Sequence, residues 1–309
     1  MGVIVVVGSI NSDMVVGTVR IPKPGETVLG ESFNVYPGGK GANQAVAVAK
    51  LGYSCCMIGK LGRDSFGSDL REQLVKSGVN AAAVESTDGP SGVALITTEA
   101  SGENSIVVVP GANAKVLPAD IDANRALILS ASMVLVQLET PIETVVHLAD
   151  VAFAAGVPLM LDPAPAQALP DGLLRYTAWL TPNTTEAATL LGLAADDSIE
   201  NAQSRAEALL GRGPRGVVLK MGEQGVYVAT ADGLRVHVPA FAVKAVDSTA
   251  AGDSFNAGFA VGLSEGLDPA AAARFASAVA GISVTRHGAQ PSLPTRDEVE
   301  AFLREHAVG

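Results

Sequence analysis

A short stretch near residue 250 combines small residues with one carboxylate in a pattern that suits phosphate chemistry. Residues 249–252 (Thr-Ala-Ala-Gly) precede Asp253, and Phe255, Phe259 and Leu263 follow at helical spacing, which predicts that a helix begins here. Small side chains at a helix start leave backbone N–H groups open, and the helix dipole adds positive potential. The stretch therefore predicts an anion-binding site at a helix N-terminus.

The carboxylate of Asp253 has two possible roles in this position. It could cap the helix start, which is ordinary chemistry for a carboxylate in the first turn. It could instead be a general base that takes a proton from an alcohol attacking the bound phosphate. The apolar run of residues 241–246 leads into the helix, so we expect the site at a strand-to-helix corner.

Polar residues also follow the first apolar run of the chain. Val3–Val7 is typical of a strand buried on both faces, and Asn11 and Asp13 come soon after it. Ligands gather at the carboxyl ends of strands in parallel sheets, so both residues are candidates for binding something polar. An Asx turn would explain the same two residues, and the local sequence leaves this alternative open.

A glycine-rich segment of residues 37–45 (Pro-Gly-Gly-Lys-Gly-Ala-Asn-Gln-Ala) precedes a predicted helix of residues 42–51. It is not a Walker A loop, because Lys40 is followed by glycine, and it lacks the third glycine of a dinucleotide fingerprint. The turn would present Lys40 and Asn43, which are donors suited to hydroxyl groups. A plain loop-to-helix connection is the alternative.

The second half of the chain alternates predicted strands and helices, and we expect these elements to position the candidate residues. Strands are predicted at 133–138, 157–161, 178–180 and 216–219, and helices at 118–130, from residue 141 and up to residue 210. The pattern predicts an α/β fold with a central, mostly parallel sheet flanked by helices. Polar residues after the strands should meet Asp13 and Asp253 at one edge of the sheet: Glu139, Asn183, Glu186, Gly222 and Gly225.

Two segments interrupt this α/β pattern with short β pieces. Residues 14–38 contain prolines and glycines among short alternating pieces at 26–29 and 32–36, and residues 91–111 contain pieces at 92–98 and 106–109 around a turn at 101–104. We expect the two inserts to form one small sheet in a single domain of residues 1–309. Such a sheet over the strand ends would be a lid that excludes water.

Composition excludes several classes of protein. The formal net charge of −11 argues against nucleic acids and anionic membranes as partners, and no apolar run approaches the length of a membrane span. The two cysteines are adjacent, which argues against a disulfide framework and favours a reducing compartment, so we expect a cytoplasmic protein. The four histidines lack metal-ligand spacing, and no Gly-x-Ser-x-Gly elbow supports a hydrolase.

Two long motifs resemble those of a known family. Residues 38–45 resemble the first signature of the ribokinase-like (PfkB) carbohydrate kinases, and residues 247–256 resemble the second; the likeness extends from Gly8 to Ser292. The resemblance implies the three-layer fold of that family and ATP-dependent phosphorylation of D-ribose at O5. A kinase for another sugar or nucleoside, such as deoxyribose, fructose or adenosine, is one alternative, and a non-catalytic sugar-sensing protein is another.

The resemblance also implies roles for individual residues around the transferred phosphoryl group. Asp253 would be the general base, and the backbone of Ala250, Ala251, Gly252 and Asp253 would form the anion hole. The sugar would be bound by a set of polar and glycine-rich positions: Asn11, Ser12, Asp13, Gly39, Lys40, Gly41, Ala42, Asn43 and Glu139.

Nucleotide and metal sites are implied in the same way, with ATP, Mg²⁺ and K⁺ as the expected ligands. The nucleotide would be bound by Asn183, Lys220, Met221, Gly222, Glu223, Gln224, Gly225, Gly252 and Ser277. Asn183 and Glu186 would help hold Mg²⁺ through water. The K⁺ ligands would be the side chains of Asp247 and Ser292 and the backbone carbonyl groups of Thr249, Ser283, Arg286 and Gly288. A homodimer formed through the β lid is implied as well.

Overall fold

The structure is a computed structural model, and it describes residues 2–99, 103–170, 172–196 and 198–306. Its strands, in chain order, are β1 (Val3–Val7), β2 (Asn11–Thr18), β3 (Gly30–Gly38), β4 (Cys55–Gly62), β5 (Asn80–Thr87), β6 (Gly92–Glu99), β7 (Asn104–Val109), β8 (Ala131–Val136), β9 (Leu159–Leu161), β10 (Trp179–Leu180), β11 (Gly216–Lys220), β12 (Val226–Thr230) and β13 (Arg235–Val238). The helices are α1 (Lys40–Lys50), α2 (Ser65–Lys76), α3 (Pro118–Ala123), α4 (Arg125–Leu129), α5 (Ile142–Ala154), α6 (Thr184–Leu191), α7 (Ile199–Leu210), α8 (Ala251–Ser264), α9 (Pro269–Ser283) and α10 (Arg296–Glu305).

Nine strands form the central sheet, in the order β13-β12-β11-β10-β9-β8-β1-β4-β5. All neighbours from β11 to β5 are parallel, and β12 and β13 add antiparallel pairs at one edge. The predicted α/β class is therefore confirmed. Because parallel strands end at the same edge, the segments that follow β1, β8, β9, β10 and β11 converge there.

Hydrophobic cores lie on both faces of this sheet. Ile4 and Val6 of β1 belong to one core, and Val5 and Val7 belong to the other, as the alternation of side chains in a strand requires. Both faces of β1 are buried, which explains why its sequence is an unbroken run of apolar residues. Phe259 of α8 is fully buried in the first core. Among the described residues, no helix combines the length and apolar character needed to cross a membrane.

The two predicted β inserts form a separate four-stranded sheet, in the order β3-β2-β6-β7. Strands β2 and β6 are parallel, whereas β2–β3 and β6–β7 are antiparallel. The turn predicted at 101–104 falls partly on residues 100–102, which lie outside the described residues. Asn11 and Asp13 belong to β2, so the Asx-turn alternative for these residues is wrong.

Several sequence expectations need correction. The apolar run of residues 241–246 contains no strand, so a loop of residues 239–250 leads into α8 and there is no strand-to-helix corner. Residues 26–29 form no strand, and the helix predicted at 118–130 is divided at Asn124 into α3 and α4. In the run of residues 241–246, Phe241, Ala242, Val243 and Ala245 line a pocket wall. Periodicity does not distinguish such an extended loop from a strand.

Candidate active site

A pocket of about 910 Å³ lies between the sheet edge, the start of α8 and the side of α9. Asp162, which follows β9, and Lys220, the last residue of β11, line its floor, and Asp253 of α8 and Lys40 of α1 line the end that faces the small sheet. Residues that are far apart in the sequence thus meet at the edge where the parallel strands end.

The start of α8 offers open backbone donors to this pocket. Ala250 has φ 59° and, among the described residues, is the only residue other than glycine with a positive φ. This left-handed residue turns the chain into the helix. The N–H of Ala251 donates to Ser248 O at 3.1 Å, whereas those of Gly252 and Asp253 have no hydrogen-bond partner within the described part of the chain. Two N–H groups at a helix N-terminus are therefore free for an anion.

The Asp253 side chain does not cap its own helix. Its Oδ2 accepts a hydrogen bond of 2.9 Å from Asn43 Nδ2, and its Oδ1 accepts one of 3.1 Å from Gln44 Nε2. Burial raises the pKa of Asp253 to about 6; Lys40 opposes this rise and Asp162 adds to it. The capping alternative is wrong, and the carboxyl has the pKa of a base that works near neutral pH.

Asp13 and Asn11 lie on the face of the small sheet that is turned toward the active site. Asn113 Nδ2 donates to Asn11 Oδ1 at 2.7 Å, which leaves the Asn11 amide hydrogens for another acceptor. Burial raises the pKa of Asp13 to about 7, with Glu139 and Asp253 adding to the rise. Asp13 Oδ1 and Asn43 Oδ1 are buried without a hydrogen-bond partner among the described residues. Such orphaned acceptors indicate a ligand with hydroxyl donors.

Lys40 and Glu139 complete this end of the site. Glu139 Oε2 accepts a hydrogen bond of 2.5 Å from Ser9 Oγ, which holds the carboxylate beside the glycine-rich turn. Burial lowers the pKa of Lys40, but nearby carboxylates, with Asp253 and Asp162 foremost, outweigh burial and raise it above the usual lysine range. Lys40 is therefore a fixed positive charge among several acids.

Other predicted sugar-binding positions contribute packing rather than free polar groups. The N–H groups of Gly41 and Ala42 both bond to Ser9, to its Oγ and its carbonyl oxygen respectively, and the Ala42 side chain is fully buried. A Cβ on Gly41 would lie 2.7 Å from the backbone of Gly8 and Ser9, so glycine allows α1 to approach that strand end. The pleat of β2 directs Ser12 away from Asn11 and Asp13.

The opposite end of the pocket is lined by the segment after β11 and by α9. Gly222, Glu223, Gln224 and Gly225 contribute to this wall, together with Ser277. Met221 does not line the pocket, because its side chain is buried in the hydrophobic core. Part of the apolar wall comes from a loop that the sequence did not identify as functional: Phe241, Ala242, Val243 and Ala245.

Asn183 and Glu186 line the pocket between its two ends and bond to each other as a capping box. Asn183 Oδ1 accepts from Glu186 N at 2.8 Å, and Glu186 Oε2 accepts from Asn183 N at 2.7 Å. Burial raises the pKa of Glu186, and Lys220 opposes the rise. Local helix capping thus explains their spacing, while their place in the pocket keeps Glu186 within reach of a ligand.

The residues predicted to bind a monovalent cation converge in the structure. Asp247 accepts hydrogen bonds from the N–H groups of Thr249 (2.9 Å) and Gly288 (2.8 Å), and Ser283 Oγ lies 2.8 Å from Ser292 Oγ. Partial burial opposes ionisation of Asp247, but these hydrogen bonds outweigh it and lower its pKa. Three of the predicted carbonyl ligands accept no hydrogen bond from any described residue: those of Thr249, Arg286 and Gly288.

Three buried residues at the site were missed by the sequence analysis. Gln44 Nε2 donates to both Asp162 Oδ2 and Asp253 Oδ1 at 3.1 Å, and Gln137 Nε2 donates to Gln44 Oε1 at 2.8 Å. Asp162 directly follows the strand predicted at 157–161, and this position was a usable signal. Gln137 follows β8 in the structure but lies inside the strand predicted at 133–138, so it showed no such signal. Gln44 carried none, because a glutamine one turn into a helix is unremarkable.

The sequence matches the pfkB family of carbohydrate kinases over residues 1–296. It is 44% identical over 301 residues to the ribokinase of Bacillus subtilis, a match that spans 97% of this chain and 99% of the relative. It is 36% identical to the deoxyribokinase of Salmonella typhimurium, with 97% of this chain and 98% of that protein covered.

Solved structures agree with this likeness. Ribokinase from Thermotoga maritima superposes with a TM-score of 0.89 at 40% identity, covering 98% of this chain and 100% of the other. Ribokinase from Arabidopsis thaliana, solved with ribose and ATP, gives a TM-score of 0.91 at 35% identity, covering 98% and 99% of the two chains.

Proposed function

The chain belongs to the pfkB family of carbohydrate kinases, and from this premise we propose that it transfers the γ-phosphoryl group of ATP to the 5-hydroxyl of D-ribose. The observation that carries the proposal is the position of Asp253, whose carboxyl lies beside two open N–H groups at the start of α8. Phosphoryl transfer requires chiefly positioning and charge stabilisation, and this arrangement supplies both.

The roles of the transfer groups follow from their chemistry. Asp253, with a pKa of about 6, accepts the proton of the attacking sugar hydroxyl. The N–H groups of Gly252 and Asp253 donate to the phosphoryl oxygens as their charge develops. The N–H of Ala251 is bonded to Ser248 in the structure, so its part in the predicted anion hole would require that bond to open.

We assign the sugar to the space between α1, Glu139 and the small sheet. The unpartnered Asp13 Oδ1 and Asn43 Oδ1 would accept hydroxyl hydrogens there, while Lys40 would donate. The small sheet would act as a lid, because it carries Asp13 on the face that covers this space. Excluding water protects the phosphoryl group from hydrolysis and strengthens each polar contact.

The nucleotide would occupy the large pocket, with its base against the apolar wall near Phe241 and its phosphates toward α8. When bound, Mg²⁺ neutralises phosphate charge. Glu186 and Asn183 would hold that ion through water, since an anionic carboxyl suits the outer sphere of Mg²⁺. Lys220, at the pocket floor, would contact phosphate oxygens directly.

We also propose a monovalent cation site next to α8. An ionised carboxyl at Asp247 and three unpartnered carbonyl groups fit a large cation such as K⁺. The carbonyl group of Thr249 lies three residues before Gly252, so an ion bound there would fix the turn that presents the open N–H groups. Its positive charge would also favour a bound anion.

A homodimer would form through the small sheet. In its register, Met14 pairs with Val35 and Leu95, and Leu95 pairs with Val107, so these residues share the face opposite Asp13. Val35, Leu95 and Val107 are each about half exposed, at 47%, 47% and 58%. A continuous apolar face of this kind on a sheet calls for a partner, and a second copy of the sheet would cover it.

A sugar panel tests the proposed activity. Phosphorylation is measured with MgATP and ribose, deoxyribose, fructose or adenosine, and ribose is expected to give the highest kcat/KM. Deoxyribose is the second candidate, because the relatives include a deoxyribokinase. Absence of turnover with all four acceptors, by a folded protein that binds ATP, would reject the assignment and favour a sugar-sensing role.

A further inference from the structure

A chain of hydrogen bonds joins the floor of the nucleotide pocket to the proposed base. Lys220 Nζ donates to Asp162 Oδ1 at 3.2 Å, and Gln44 Nε2 donates to Asp162 Oδ2 at 3.1 Å. The same Gln44 nitrogen donates to Asp253 Oδ1 at 3.1 Å. Asp162, Gln44 and Asp253 are all buried. Bulk water is thus excluded from much of this chain, and the charges along it act on one another strongly.

The orientation of Gln44 is fixed by its other end. Gln44 Oε1 accepts a hydrogen bond of 2.8 Å from Gln137 Nε2, so both amide hydrogens of Gln44 point toward carboxylates. The reversed amide would place its oxygen against Asp162 and Asp253 and repel both. Gly8 makes room for this arrangement, because a Cβ there would lie 2.1 Å from Gln137 Oε1. The amide therefore has one stable orientation, and it ties the two acids together.

Lys220 lies where the chain of hydrogen bonds meets the phosphate site. A Cβ added to Gly252 would lie 3.3 Å from Lys220 Nζ, so the ammonium is next to the open N–H groups of α8. A phosphoryl oxygen at those N–H groups would also be within reach of the ammonium. Lys220 thus has Asp162 as its partner in the free protein and a second, competing partner when a triphosphate arrives.

We propose that Asp162 is a positioning residue that transmits the arrival of the triphosphate to Asp253 through Lys220 and Gln44. The inference rests on the proposed kinase function. In the free protein the Lys220 ammonium neutralises Asp162. A bound triphosphate shares that ammonium and leaves the Asp162 carboxylate less compensated, directly beside the base. A neighbouring negative charge strengthens Asp253 as a proton acceptor, so the base gains strength when the phosphoryl donor is in place.

Other charged groups also face Asp253 and must be held constant in any test. Lys40 approaches from α1, and Asp13 approaches from β2 on the small sheet. Neither takes part in the hydrogen bonds between Lys220 and the base. Variants of Asp162 and Lys220 leave Lys40 and Asp13 in place. A change in the titration of Asp253 in these variants therefore results from the altered Asp162–Lys220 pair.

The test measures kcat/KM for the sugar against pH at saturating MgATP in Asp162→Asn, Lys220→Met and the double variant. We expect the midpoint of the acidic limb to fall by roughly one pH unit in Asp162→Asn and to rise in Lys220→Met. In the double variant it should return toward the native value, because the whole ion pair is absent. A purely structural role would lower kcat without moving these midpoints in opposite directions.

The control is a second largely buried lysine–aspartate pair outside the pocket. Lys60 Nζ lies 2.8 Å from Asp120 Oδ1, and each side chain is 14% exposed. Asp120→Asn should change the melting temperature but leave the acidic limb in place. The proposal is overturned if the limb of Asp162→Asn coincides with the native limb, or if both single variants shift it in the same direction.

A measurement that needs no turnover separates this inference from the proposed function. A non-hydrolysable ATP analogue is titrated into the protein near pH 6 by calorimetry in two buffers of different ionisation enthalpy. We expect the native protein to take up protons on binding and Asp162→Asn to take up fewer; equal uptake overturns the inference. If Asp162→Asn fails to fold, reduced uptake by Lys220→Met decides the question. Lack of sugar turnover by the native protein, in contrast, counts against the kinase assignment.

Discussion

Asn43 Nδ2 donates a hydrogen bond of 2.9 Å to Asp253 Oδ2, although 210 residues separate the two in sequence. The bond joins the first turn of α1 to the first turn of α8. In the sequence, the first follows a glycine-rich segment and the second follows a stretch of small residues. Asn43 therefore orients the proposed base with one end of its amide. The other end, Asn43 Oδ1, has no partner among the described residues and remains for the sugar.

Asp253→Asn tests the role of the base. The amide is isosteric and can still bond to one of its two neighbours, so we expect the fold to survive while kcat falls by at least ~100-fold, the contribution of a positioned base. Turnover is measured with ribose and MgATP, and sugar affinity is measured by calorimetry as a control for folding. Near-native turnover would remove Asp253 from the catalytic role.

The pH profile should reflect the same carboxyl. The pKa of Asp253 is raised to about 6, and only its ionised form can accept a proton. We therefore expect kcat/KM to be level near neutral pH and to fall by about tenfold per pH unit below a midpoint near 6. Stopped assays in buffers of constant ionic strength measure this. A limb that begins only below pH 4.5 would show that another group controls the rate.

Asp13 should affect stability in a direction set by its pKa. Its pKa is raised from 3.8 to about 7, so the folded state binds this proton more tightly than the unfolded state. The resulting stabilisation is fully present below pH 3.8 and is lost as pH rises through 7. Asp13→Asn should therefore raise the free energy of unfolding at pH 8 by roughly 4 kcal/mol, at about 1.4 kcal/mol for each of about three pKa units, and change it little at pH 3.5.

Urea titrations of the native protein and of Asp13→Asn at the two pH values measure this difference. The exposed Asp69→Asn variant serves as the control, because it removes one carboxylate from the surface without changing a buried site. A loss of stability in Asp13→Asn at pH 8 would show that the Asp13 carboxylate is well compensated in the folded protein.

The proposed cation site predicts a dependence on ion size. K⁺ should raise the rate above that in tetramethylammonium, which is too large to be enclosed by carbonyl groups. Asp247→Asn should weaken the K⁺ dependence, since it removes the carboxylate charge from the cluster. A binding readout that does not depend on turnover is the shift in melting temperature with added K⁺. Equal rates and equal melting temperatures in both salts would reject the site.

Site residues could be predicted from the sequence where the neighbouring residues formed a recognisable local pattern. The helix start before Asp253 and the strand end before Asn11 carried local patterns, and both proved to lie at the site. Gln44 carried no local pattern, because its importance arises only when α1, α8 and the segment after β9 converge, and Asp162 offered only its position after a predicted strand. The apolar run of residues 241–246 was mistaken for a strand, because several of its side chains line a ligand pocket rather than a sheet face.

The apolar face of the small sheet gives a prediction about assembly. Leu95 pairs with Met14 and Val107 in the sheet register and is about half exposed, at 47%, on the face turned away from Asp13. Leu95→Glu would place a charge at the centre of a sheet-to-sheet interface, where burial without a partner costs several kcal/mol. We expect the native protein to sediment as a dimer at micromolar concentration and Leu95→Glu to sediment as a monomer.

A matched control for this variant is Val75→Glu, which introduces the same charge at an exposed apolar residue near the end of helix α2 and not on a strand of the small sheet. It should leave the native mass unchanged. The small sheet supplies Asp13 as well as the interface, so separating the copies should loosen its position over the sugar. We therefore expect Leu95→Glu to raise KM for ribose while KM for ATP stays near its native value. A native protein that sediments as a monomer would contradict the proposed dimer.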